Sequence, residues 1–477
     1  MKAGPSAQPT PSPGLSAKVL FAKVPFAKVP FSKVLVANRG AVAARVIRAL
    51  RGLGVGSVAV YSEADAAAPY LAEADEAHCI GPPAARDSYL NQGRLLEVAR
   101  SVGVDAVHPG YGFLAENAGF AARVAAGGMI FIGPSARLIE AMGEKTRARE
   151  IMAEHGFPVA AGSGLLDGEA DSVTLAARAI GFPVMIKPAG GGGGIGMMVA
   201  RDETTLAAGV ARARAMAQRS FSSAGVYLEK YLENPRHVEL QILADRHGNV
   251  RHLFERDCSI QRRHQKVIEE SPAPNVSRET IAAIGARAVS VLARLGYDNI
   301  GTVEMLVGQD GGFSFLEMNT RLQVEHAVTE MVTGIDLVQG QIRSAAGQRL
   351  ETILPETIAV DGHAIEARIY AEDPKRFLPS PGPLNKFRLP DATRLCRVDT
   401  GYAEGMVVTP HYDPLLAKII VHGASRDDAI GGLLDALGRT VIEGVKTNIP
   451  FLLACLDDAR FRAGAVHTGL AGEIGLS

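Results

Sequence analysis

The chain has 477 residues, 47% hydrophobic and 21% charged, which is enough to bury a large core shared by roughly two to four folding units. Its 50 basic and 51 acidic side chains leave a net charge of −1, without the basic surplus that a nucleic-acid partner selects, and the absence of tryptophan removes the best stacking platform for single strands. No stretch approaches the roughly 20 apolar residues of a membrane span, and the scattered Cys79, Cys258, Cys396 and Cys455, with no CxxC pair, read as reduced thiols of a cytoplasmic protein.

Residues 1–18, rich in Pro, Ser, Ala and Gly, are expected to be disordered. The tandem pentads VLFAK, VPFAK and VPFSK (19–33) follow; a lysine every five residues breaks any secretory h-region, and Pro25 and Pro30 oppose a helix. They read as an extension without a targeting or docking role. Order is expected from near Phe31, with a strand at Lys33–Ala37, the turn Asn38-Arg39-Gly40, and a helix over 41–53 stopped by Gly54. Strand-like runs at Ser57–Tyr61, Ala106–His108 and Met129–Ile132 alternate with helical stretches, which predicts a parallel α/β sheet. The first turn lacks GxGxxG, so a Rossmann-like layout here does not imply NAD.

From about 149 to 345 strands enclose Gly-rich and charged segments. Phe182–Ile186 reads as a strand ended by Lys187, followed by the glycine run Gly190–Gly194. Five consecutive glycines cost much chain entropy to order, which is offset where bare N–H groups close on an anion. The run is not a P-loop; it reads as a flap over nucleotide phosphates with Lys187 as a phosphate cation, or as a flexible surface loop. In 226–243, Glu229, Lys230 and Leu232 lie where an extended connector offers backbone hydrogen bonds to an adenine edge and a carboxylate to a ribose; a solvated strand-turn fits the same string. Strands at Gly362–Tyr370 and Leu415–His422 belong to a third, smaller unit.

The most informative residues lie in 301–307 and 313–326. Glu317 and Asn319, two apart in a strand, project from one face, with Phe313 and Phe315 continuing that parity. Glu304 supplies a second hard oxygen from a separate strand, its neighbours Val303 and Met305 facing the other way. A divalent cation compensates such carboxylates, and so does a salt bridge to a nearby arginine. Arg321, Gln323 and Glu325 continue with period two; a cation, an amide and a carboxylate together suit a small oxyanion whose proton the carboxylate takes. The run Arg262, Arg263, His264, Lys266 adds cations, or is a solvated face.

Taken together these residues resemble the biotin carboxylases within the ATP-grasp superfamily. The resemblance rests on VLVANRG (34–40), HPGYGFLAEN (108–117), FIGPS (131–135), EKYLENPRHVE (229–239), ERDCSIQRRHQKVIEE (255–270) and EMNTRLQVEH (317–326). It continues through AEDP (371–374), FLPSPG (377–382), HYDPLLAK (411–418) and EGVKTN (443–448), and so covers the chain from about residue 31 to its end. It implies an α/β protein: an extension at 1–30, a Rossmann-like domain at 31–145, an ATP-grasp domain with a mobile glycine-rich lid at 149–346, and a mixed α+β domain at 360–470. It further implies that Lys145, Lys187 and the loop Gly192, Gly193, Gly194 and Gly196 hold ATP, with Glu229, Lys230, Leu232, His237 and His264 around the nucleotide. By the same resemblance Glu304, Glu317 and Asn319 carry magnesium or manganese, and Lys266, Arg321, Gln323 and the Val324 backbone orient bicarbonate. Glu325 is then the base toward bicarbonate, and Arg368 stabilises the enolate of biotin.

Ile195 stands where many members carry Arg or Lys in the flap, and Ala41 where Glu is usual. No biotin-attachment string of the Ala/Val-Met-Lys-Met type occurs near the C-terminus, so biotin is expected in trans on a carrier protein that serves a carboxyltransferase, as in acetyl-CoA carboxylase of fatty acid biosynthesis. A homodimer is the family expectation. Two rival readings are another ATP-grasp ligase, which leaves QRRHQKVIEE unexplained, and a catalytically silent paralogue, which Ile195 and the odd N-terminus motivate.

Overall fold

The computed structural model describes residues 28–166, 169–189, 196–221 and 225–475. The glycine run Gly190–Gly194, Ile195 and the first two pentads lie outside the described residues, apart from Lys28. Val29 and Phe31 of the third pentad are buried in the same apolar cluster as Val34 and Val36.

Five strands, β1 (Lys33–Val36), β2 (Gly56–Tyr61), β3 (Glu76–Cys79), β4 (Ala106–His108) and β5 (Ile130–Phe131), form a parallel sheet in the order β3-β2-β1-β4-β5. The alternating strand and helix pattern requires this arrangement, because each crossover helix buries its apolar stripe on the sheet. The helix Gly40–Gly52 does so with Val42, Val46 and Leu50, and it ends at Leu53 with Gly54 at φ +69°, where a side chain would be strained. Strand order reverses between β1 and β4, and ligands gather at such switch points beyond the strand ends. There the Asn38 amide donates to the carbonyls of Pro109 at 2.7 Å and Tyr111 at 2.8 Å, joining the two loops.

A small antiparallel sheet follows, with β6 (Val184–Pro188) between β7 (Met198–Ala200) and β8 (Val226–Lys230), covered by the helices Ala170–Ile180 and Glu203–Phe221. Lys187 therefore lies inside β6 and not after its end. The largest sheet is antiparallel and contains β9 (Arg236–Ala244), β10 (Val250–Arg262), β11 (Gln265–Ser271), β12 (Asn299–Val307), β13 (Phe313–Asn319) and β14 (His363–Tyr370). After β14 come the short pairs β15 (Gly382–Pro383) with β18 (Val407–Val408) and β16 (Lys386–Arg388) with β20 (Val441–Glu443), and the longer β17 (Cys396–Thr400) and β19 (Leu415–Gly423). The order of the large sheet is β13-β12-β9-β10-β11-β14-β19-β17, so β14 and β19 extend the sheet that begins in the central region.

Two local features correct the period-two reading of the carboxylate segment. A bulge places Glu304 opposite Glu317 but Met305 opposite Phe315, so Leu316 is the extra residue. Phe315 is consequently packed in the core while Glu317 lines the cavity, and the parity expected from Phe313 through Glu317 is broken. Beyond Asn319 there is no strand: residues 320–325 are a turn leading to the helix His326–Thr333, so Arg321, Gln323 and Glu325 are gathered by a loop.

Candidate active site

A cavity of about 910 Å³ runs between the small sheet, the large sheet and the β1 and β4 loops. Of the anticipated residues it is lined by Lys145, Lys187, Glu229, Lys230, Leu232, His237 and His264 at one end. Lys266, Glu304, Glu317, Asn319, Arg321, Gln323, Val324, Glu325 and Arg368 line the remainder. Residues more than two hundred positions apart thus face one volume. Gly196, at φ +80°, is not among the residues lining the cavity, and a Cβ there would meet Pro188 at 3.1 Å; Gly192, Gly193 and Gly194 fall outside the described residues.

Lys266 is the electrostatic centre. The hairpin from β10 to β11 turns at Arg263 and His264, at φ +50° and +65°, two left-handed positions that favour glycine or asparagine. This turn starts β11 so that Lys266 points inward and Arg263, though exposed, still lines the cavity, while Arg262 pairs with Glu372 at 2.5 Å. The basic run therefore divides, and only part of it serves the cavity. The Lys266 ammonium lies 2.6 Å from Glu239, 2.7 Å from Glu304 and 2.7 Å from Glu325. Burial pulls that ammonium toward neutrality, but the three carboxylates outweigh it and hold its pKa well above the ordinary lysine value.

Glu325 is gripped from two sides, by Lys266 and by the Arg368 guanidinium at 2.8 Å. Burial alone raises a carboxyl; here Lys266, Arg368 and Arg256 overcome it, and Glu325 is held well below the carboxylate range. Arg368 also approaches Glu269 at 2.6 Å. Neither Glu269 oxygen is in hydrogen-bonding alignment with a donor, and burial pushes that carboxyl up to about 8 despite the arginine. Cys258, 3.9 Å from Glu325, is a buried thiol whose pKa burial raises far above normal, so it is inert at neutral pH; all four cysteines are unpaired.

Arg321 donates to Gln323 at 2.8 Å and to Asn319 at 2.9 Å, and it is oriented by Glu116 at 2.8 Å. Asn319 and Gln323 in turn donate to Glu304 at 2.8 and 3.1 Å. Glu304, Glu317 and the Asn319 carbonyl form a hard oxygen set on adjacent paired strands, facing space that phosphates can enter. That donor chemistry fits magnesium or manganese. Glu304 is met by Lys266 and His237, the latter at 3.1 Å, and Glu317 by Lys145 at 3.0 Å. At the other end Glu229 is buried between Lys187 and Arg149, each at 2.7 Å, and burial lowers the Lys187 pKa.

Sequence reading missed several residues that shape this site. Arg149, Glu116 and Glu239 act as counter-charges, and only the fold brings them near; Glu269 was visible in the sequence as one of the acids flanking the basic run. Asn448 accepts from the Tyr370 N–H at 2.8 Å and donates to the Arg368 carbonyl at 2.9 Å, holding the end of β14 as an added strand would.

Similarity to known proteins agrees with this geometry. Residues 30–139 match a family model described as the biotin carboxylase N-terminal domain, and residues 366–472 match the biotin carboxylase C-terminal domain. Residues 144–353 match the ATP-binding domain of the carbamoyl-phosphate synthase L chain. The biotin carboxylase of Haemophilus influenzae is 48% identical over 435 residues, 91% of this chain and 96% of that protein. The chain belongs to the biotin carboxylase family. The biotin carboxylase of Campylobacter jejuni superposes with a TM-score of 0.89 at 41% identity, over 93% of this chain and 99% of that one. The biotin carboxylase domain dimer of Hydrogenobacter thermophilus 2-oxoglutarate carboxylase, solved with MgADP, ADP and bicarbonate, gives 0.88 at 44% identity, over 93% and 97% of the two chains. This member of the family is thus an ATP-grasp enzyme. Among the described residues no helix is long and apolar enough to cross a membrane.

Proposed function

We propose that this chain uses ATP and bicarbonate to carboxylate biotin presented by a carrier protein, with its residues in the following roles. Lys145, Lys187, Gly196 and the glycine run Gly192–Gly194 hold the phosphates, while Glu229, Lys230, Leu232, His237 and His264 surround the nucleoside. Glu304, Glu317 and Asn319 would hold magnesium or manganese, which neutralises phosphate charge when bound. Lys266, Arg321, Gln323 and the Val324 N–H orient bicarbonate beside Glu325.

Glu325 takes the bicarbonate proton as a bicarbonate oxygen bonds to the γ-phosphorus and the bond to ADP breaks, leaving ADP and carboxyphosphate. A carboxylate held so low is a weak base while Lys266 rests on it. Phosphate and bicarbonate draw that ammonium toward themselves, and the basicity of Glu325 rises as they bind. Carboxyphosphate breaks its C–O bond to give CO2 and phosphate, and the phosphate takes the ureido N–H proton of biotin. The enolate that remains attacks CO2 while the Arg368 guanidinium faces its developing oxyanion. The observation that carries this reading is one carboxylate, Glu325, held between a cation toward the phosphate end and a cation toward the β1 and β4 loops. The carrier is expected to deliver carboxybiotin to a carboxyltransferase, acetyl-CoA or propionyl-CoA being the acceptor by analogy.

The test is ADP release by the purified chain with ATP and magnesium, with and without bicarbonate and free biotin. Release should need bicarbonate and rise with biotin; release indifferent to bicarbonate would sink the assignment. Arg368→Ala should lose the increment due to biotin by roughly a hundredfold or more while bicarbonate-dependent release at low biotin changes less.

A further inference from the structure

Lys418 is a buried lysine, 1% exposed, with no part in the steps above. It lies in β19 directly across from Arg368 in β14 and from Asp399 in β17, so the three side chains share one face of the sheet. Its ammonium is 3.3 Å from Glu366 and 3.5 Å from Asp399, and it donates to the Val324 carbonyl at 2.5 Å. The two carboxylates fix where the charge sits. The third contact crosses from the sheet to the loop 320–325, which belongs to no strand ladder. A buried ion cluster is weak evidence for a purely stabilising role, since apolar side chains of equal volume do as well or better. Here the cluster is also imperfect as a stability device, because Glu366 Oε1 has no hydrogen-bond donor.

We propose that Lys418 is a positioning residue for bicarbonate. By clamping the Val324 carbonyl it sets the peptide planes that present Gln323, the Val324 N–H and Glu325, and it does so from the strand position paired with Arg368. The loop that receives bicarbonate and the arginine that receives biotin are thereby tied to one point. This rests on the reading of 321–325 given above.

The experiment uses two variants of the full chain, Lys418→Arg and the double variant Lys418→Met with Glu366→Gln, which removes one buried charge of each sign. Steady-state ADP release gives kcat and the separate KM values for bicarbonate and ATP. A charge-assisted hydrogen bond to the loop predicts that the bicarbonate KM rises about tenfold or more in the double variant. The ATP KM should stay within about twofold, and Lys418→Arg should recover part of the loss. A fall in kcat with both KM values unchanged, or an equal rise in both, overturns the proposal; if the double variant does not fold, a wild-type bicarbonate KM in Lys418→Arg does so. Glu325→Gln measured in parallel separates the two ideas. If it keeps bicarbonate-dependent release, the reading of the loop fails; if it loses release while the Lys418 variants keep the wild-type KM, only the role of Lys418 falls.

Discussion

Glu325→Gln is expected to cut bicarbonate-dependent ADP release by about a hundredfold to ten-thousandfold, the usual range for removing a positioned general base. The substitution is nearly isosteric, and it leaves Lys266 with Glu239 and Glu304 and leaves Arg368 with Glu269. Both cations therefore keep a carboxyl partner, and the fold and the ATP KM should change little. The amide cannot accept the bicarbonate proton at neutral pH, so the loss should not recover as pH rises. Initial rates between pH 6.5 and 9 check this. A variant that regains full activity at high pH would show that hydroxide or another carboxylate does the work assigned to Glu325.

The largest effect on stability is expected from Lys266→Met, a change of similar volume that leaves Glu239, Glu304 and Glu325 converging on a position with no ammonium. Breaking buried pairs in this way costs about 3–5 kcal/mol, and bicarbonate-dependent turnover should be lost as well. The pH dependence has a definite sign. In the wild type Glu304 and Glu325 are held below their ordinary values, so their stabilisation is present above about pH 4.3 and is lost as pH falls through their folded values. In the variant the same carboxyls lose their main cation and are pushed up by burial. Lowering the pH from 7.5 to 5.5 should then stabilise the variant more than the wild type, in which only carboxyls already raised, such as Glu269 at about 8, gain from the change. Urea midpoints at both pH values measure this; equal midpoints for the two proteins at pH 7.5 would mean that Lys266 is not the compensating charge.

Much of this protein was legible in its sequence. Regular periodicity marked the helix after Asn38-Arg39-Gly40 and the strands Ala106–His108 and Leu415–His422, because a side chain's face in a helix or strand depends only on local spacing. The long strings such as EMNTRLQVEH identified the family, since each combines residue types that a bland surface does not need in that order.

The tertiary structure decided what local spacing cannot encode. The bulge at Leu316 turned Glu317 away from Phe315, and its register is set by pairing with β12. Lys266 became the centre of three carboxylates only because β9, the loop after β13 and β12 converge on β11. Its charge state follows from that convergence and from the exclusion of water. Lys418 and Asn448 read as ordinary residues of a strand and a helix start, and they acquire meaning from contacts with Val324 and Arg368, which lie 94 and 80 positions away. Sequence thus determined which side chains this protein has for its chemistry. Long-range packing, which sets distance and dielectric together, determined which of them meet and in what state of charge.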